Sequence, residues 1–164
     1  MIGALLLLGI FGASGGAGGD VDNTVTPIGR TLTLSDATTA EEAIFAQPID
    51  PSDTVDFVVN LVSGAHDADP APFLIGAEAV ASFTLQPAAS AAALGLIVAA
   101  DAPYPDPDIT GGALKFWLKI DPASRSDPAF DGDGALMGVE LTATTNTTPP
   151  RIKQRTVAAR VRNR

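Results

Sequence analysis

The sequence contains no cysteine, which excludes a disulfide framework, a thiolate nucleophile and a Cys-ligated metal centre. It has one histidine, one tryptophan and one tyrosine. With aromatics this sparse and alanine abundant, small and β-branched side chains are expected to build most of the core. No apolar run is long enough to span a bilayer. The longest, in "IGALLLLGIF" (residues 2–11), is about 16 Å as a helix against a hydrocarbon core of about 30 Å. No phosphate-binding loop is present, and no set of metal-ligand spacings. An enzyme is therefore not expected, nor a cofactor or small-molecule substrate.

Glycine and proline are plentiful, 16 and 13 residues of 164, which fits the many turns of an all-β chain better than a helical one. Charge is abundant but polarised. The net charge is −9, yet residues 1–150 hold all nineteen acids and only Arg30, Lys115, Lys119 and Arg125 as bases, a net of −15. The last fourteen residues, "RIKQRTVAARVRNR", hold six bases and no acid. The acidic body argues against nucleic acid as a partner. The basic tail, without interleaved aromatics, reads as a final strand. Its Arg151, Lys153, Arg155, Arg160 and Arg162 are expected to meet acidic neighbours on a partner, including other copies of the chain.

The opening "MIGALLLLGIFGASGGAGG" has the apolar centre and small residues of a secretory signal but no Lys or Arg before them. It is read as an arm whose Leu5, Leu6, Leu7, Leu8, Ile10 and Phe11 bury against a neighbouring subunit; the alternative is a signal peptide. Residues 1–47 are taken as this arm and an edge segment, and 48–164 as the main domain. In the first part, residues 23–34 read as an edge or bulged strand interrupted by Pro27 and Gly29. "SDATTAEEA" reads as a helical turn capped by Ser35 or Asp36.

Strands are expected at 54–62, 77–86, 94–100, 113–120, 135–146 and 153–163, separated by turn-rich stretches. Period-two alternation points Leu114, Phe116, Leu118 and Ile120 inward and Lys115, Trp117 and Lys119 outward. It likewise separates Met137, Val139, Leu141 and Ala143 from Glu140, Thr142 and Thr144. Trp117, on the outer face, is expected to be an interface residue or to be covered by the arm. "AASAAALG" (88–95) is a short helix candidate by alanine propensity. These elements predict an antiparallel β-sandwich of about seven strands.

Three places invite a chemical reading. His66, beside Asp67 and Asp69, lacks a nucleophile context and reads as a solvated loop histidine. Asp127, Asp131 and Asp133 in "DPAFDGDG" have oxygen ligands suited to Ca²⁺, but an ordinary Asp-Gly turn accounts for them and the EF-hand spacing fails. Tyr104, in "DAPYPDPD", sits in a stiff, proline-rich surface connection.

The order "DPSDTVDFVVNLVSG", "LIGAEAVASFTLQPA", "LGLIVAA", "ALKFWLKID" and "GVELTATTNTTPPRIKQRTVAARVRN" resembles the small Ig-like domains of tailed-phage virion proteins, the fibre–tail adaptors and related tail and head accessory modules. The counterparts are Asp50-Pro51, Asp56-Phe57, Gly76 to Ser82, Gly95 to Val98, Phe116 to Leu118, and Val139 to Arg162. The likeness covers about residues 50–163. It departs from the pattern in the insertions "HDADPAPF" and "DPASRSDPAFDGDG", and at "TTPPR". The resemblance implies an Ig-like sandwich acting as a structural virion component, assembled in the host cytoplasm, with other virion proteins as partners. The rival expectation is a secreted or cell-surface Ig-like adhesion module.

Overall fold

A computed structural model describes residues 29–164. Two sheets lie face to face over one core, and the protein is all-β. The first sheet runs in the order β1 (Thr31–Leu34), β2 (Thr54–Leu61), β8 (Ala113–Ile120), β6 (Leu96–Ala99), and the short β7 (Asp108–Thr110) also pairs with β8. The second runs β10 (Ile152–Val161), β9 (Ala135–Thr145), β5 (Val80–Pro87). β3 (Ser63–Gly64) and β4 (Leu74–Ile75) form a small parallel pair, and α1 (Ala89–Ala93) connects β5 to β6. The two main sheets thus hold eight strands among the described residues, close to the expected seven.

Alternation places the side chains as the sequence predicts. Along β8 every second residue is buried: Leu114, Phe116, Leu118 and Ile120. Along β9 the buried set is Met137, Val139, Leu141 and Ala143, joined by Thr145. β10 returns antiparallel to β9 over its full length, Ile152 opposite Thr144 and Val161 opposite Ala135. It adds Val157, Ala159 and Val161 to the core. α1 falls within the predicted 88–95, and the chain leaves it through Gly95 at φ 84°.

Three expectations need correction. The sandwich is not wholly antiparallel, since β1 pairs with β2 in parallel. Phenylalanine anchors the core to a degree the composition did not suggest: Phe45, Phe57, Phe73, Phe116 and Phe130 are all buried. The rings of Phe45 and Phe57 are 4.5 Å apart, and those of Phe57 and Phe116 are 5.9 Å apart. Each such burial is worth about 1.5–3 kcal/mol, so a few rings between two sheets outweigh many alanines. The helical turn read at Ser35 or Asp36 begins instead at Thr39. There the Thr39 N–H donates to Glu42 Oε2 (2.9 Å) and the Ala43 N–H to the Thr39 carbonyl (3.1 Å). Ser35 is occupied in a bridge to Pro72, and β-branched Thr38 and Thr39 do not propagate a helix.

The segment after this turn belongs to the sandwich. Ile44 bridges Ala158 and Ile49 bridges Val161, both parallel, so residues 43–50 lie along the outer edge of β10. Leu34, Ala43 and Phe45 sit in the same core cluster as Phe57 and Val139. The division read at 47/48 therefore falls inside one continuous core.

Candidate interaction surface

β10 brings its basic residues to acids of the same chain. Lys153 Nζ lies 2.8 Å from both carboxylate oxygens of Asp36, and Arg155 Nη2 lies 3.0 Å from Asp36 Oδ1. Both cations also stand over the Phe73 ring, at 5.0 and 5.8 Å from its centroid, where the ring quadrupole attracts them. Arg151 pairs with Glu78 at 2.9 Å. The charge match expected with a partner is therefore met within the chain at Arg151, Lys153 and Arg155. The turn after β1 and the loop before β5 deliver Asp36 and Glu78 to that end of β10, a juxtaposition no local pattern reveals. Arg160 donates to the Asp133 carbonyl (3.0 Å), and Arg162 is exposed.

On the outer face of the first sheet, Trp117 is half-buried by its own chain. Tyr104, from the proline-rich loop, packs on it with ring centroids 5.2 Å apart. Lys119 lies over the Tyr104 ring and pairs with Asp101 at 2.6 Å. Tyr104 thus covers part of the Trp117 ring, and the arm residues read as its other possible cover lie outside the described residues. Arg30 and Asp56 add an ion pair of 2.7 Å, both side chains largely buried.

The outer face of the second sheet carries a mainly polar array. Register aligns three rows across it: Ser82, Thr144 and Ile152; Thr84, Thr142 and Gln154; Gln86, Glu140 and Thr156. At about 4.8 Å between strands and about 6.8 Å between alternate residues, the rows cover about 10 by 14 Å. Gln86 donates to Glu140 and Gln154 to Thr142, each at 3.4 Å. Ile152 is 70 % exposed at one end of the array. Where the array meets the turn at Thr38–Thr39, an open groove of about 390 Å³ runs between Ala43, Thr142 and Gln154. The sequence placed Glu140, Thr142 and Thr144 together, but their cross-strand neighbours follow only from pairing β9 with β5 and β10.

The other candidates do not converge. His66 is exposed in its loop. The Asp127 carboxylate accepts the Ala129 N–H, and Asp131 accepts the Asn163 side-chain amide (2.7 Å). Asp133 offers its carbonyl to Arg160. Among the described residues no group of three His, Cys, Asp or Glu side chains, these three aspartates included, is placed to hold a metal ion. Leu5, Leu6, Leu7, Leu8, Ile10 and Phe11 lie outside the described residues. No helix among the described residues is long and apolar enough to cross a membrane. Comparison with protein-family models, curated proteins and solved structures finds no match to this chain.

Proposed function

We propose that this chain is a non-enzymatic structural subunit of a tailed-phage or phage-like virion. In this reading it is an adaptor or accessory protein with an Ig-like sandwich, joining tail, fibre or head subunits. The observation that carries the reading is the open, mainly Ser/Thr/Gln array on the second sheet, a surface suited to a broad protein contact rather than to enclosing a small molecule. Its side chains stand on three paired strands over a packed core, so docking costs little ordering entropy. The resemblance of residues 50–163 to virion accessory domains supplies the setting. The apolar segment Leu5–Phe11 supplies a second contact: burying half of it is worth several kcal/mol at about 25 cal/mol per Å².

Replacing Thr142 by Arg tests the role of the array. It places a long cation at the centre of the face, leaving the core side of β9 unchanged. Particles assembled with this variant should lose the protein while it remains folded and soluble in the lysate. Normal incorporation of the variant would remove the array from the account.

A second reading has one feature in its favour, the apolar centre and small residues of "IGALLLLGIFGASGGAGG". On it, the chain is a secreted or surface-displayed Ig-like binding module and the segment is removed on export. Peptides beginning near residue 18, found outside the cell, would favour it.

A further inference from the structure

Residues 79–100, which form β5, α1 and β6, contain no charged residue. β5 and β6 are the last strands of their sheets on one side of the sandwich, and they lie against each other there. That strip of chain is therefore uncharged in a molecule of net charge −9, although Asp108 of β7 and Glu140 of β9 stand near it. Two copies approaching through an acidic part of their surface repel, whereas pairing along this strip sets no charged side chain directly against another.

β5 is also the longest uncovered edge among the described residues. The outer edge of β10 is overlaid by residues 43–50 from Ala158 onward, leaving only its first half, and β1, β6 and β7 are four residues or fewer. The Ala88 N–H donates to the Gly138 carbonyl on the β9 side. By strand alternation, Ser82, Thr84 and Gln86 then bond toward β9 while the N–H and C=O of Phe83 and Leu85 point off the edge. The irregularity between Val80 and Ser82 and the proline at position 87 frame this stretch, but no lysine guards it. The side chains of Phe83 and Leu85 pack on the core and are only partly buried.

We propose that β5 is a self-pairing edge: two copies of this chain join through antiparallel β5 strands about a twofold axis at Thr84. In that register Phe83 of each copy faces Leu85 of the other. Both pairs exchange backbone hydrogen bonds, and their half-exposed apolar side chains cover one another. Thr84 meets its own counterpart, and the two three-stranded sheets become one of six with a continuous, mainly polar face. The interface is isologous and closes as a dimer. This contact goes beyond the virion reading and holds whether or not the chain belongs to a particle.

The test uses sedimentation equilibrium on the full chain, wild type and with Thr84→Lys or Thr84→Glu. Position 84 is exposed, so both variants keep the core, and circular dichroism verifies that. The wild type should dimerise. Each variant alone should dimerise more weakly by about tenfold, because like charges stand directly opposite each other on the axis. An equimolar mixture of the two should recover the dimer as a heterodimer. A wild type that stays monomeric at about 100 µM overturns the proposal, as does association that ignores both substitutions. The latter would leave the assembly reading intact and place the contact elsewhere.

Discussion

At the residue scale, Asp36 is the keystone of one end of the sandwich. It is the acceptor for Lys153, whose side chain is 8 % exposed, and it also binds Arg155. Removing it leaves a nearly buried ammonium without an anion, which is costlier than losing the pair outright. Asp36→Ala should therefore lower stability by about 2–4 kcal/mol in urea unfolding. Joint replacement by Asp36→Leu and Lys153→Met should recover much of the loss. A second residue-scale effect is acid sensitivity. The Ser52 hydroxyl and then its N–H hold the Asp50 carboxyl below its ordinary 3.8, with Arg164 assisting. The Thr39 N–H and hydroxyl lower Glu42, and Lys119 lowers Asp101. Groups depressed in the folded state stabilise it fully above their unfolded pKa, and that stabilisation is lost as pH falls through the folded value. Unfolding midpoints should thus be level from neutral pH to about 5 and decline below about 4.5. Ser52→Ala should move the Asp50 titration, followed by NMR, up toward 3.8; an unmoved titration would contradict the assignment.

At the scale of elements, two joints hold the strands in place. Gly134 turns the chain into β9 at φ 71°, and a Cβ there would run into the Val161 carbonyl and Arg162. Gly134→Ala should cost well over 1 kcal/mol, seen as a lowered Tm. The loop between β6 and β7 is pinned by Tyr104 on Trp117. Since Trp117 is the sole tryptophan, Tyr104→Ala should shift the emission to longer wavelength without unfolding the core; unchanged emission would show that Tyr104 does not cover the indole. The strands themselves were legible because period-two burial is written locally in "ALKFWLKI" and "ALMGVELTATT". What covers each strand was not. The placement of residues 43–50 along β10, of Tyr104 on Trp117 and of Asp36 on Lys153 depends on partners 13 to 117 residues away. For the same reason the candidate basic surface was only half readable. The sequence shows that Arg151, Lys153 and Arg155 carry charge, and only the fold shows that Glu78 and Asp36 meet it.

At the scale of the whole molecule, the described chain combines an acidic body, a basic strand largely matched within it, a mainly polar face and an uncharged strip from residue 79 to 100. The absence of cysteine leaves stability to the phenylalanine-centred core and the two sheets over it, an arrangement that does not depend on the redox compartment. Extended face and edge both favour contacts between proteins, in keeping with a subunit multiplied in an assembly. The most direct measurement is mass spectrometry of purified particles from the producing strain. The account predicts this protein in the particle fraction, with a peptide that still contains Leu5 to Phe11. Finding it only in the culture supernatant or periplasm, beginning near residue 18, would contradict the account and make it an exported module.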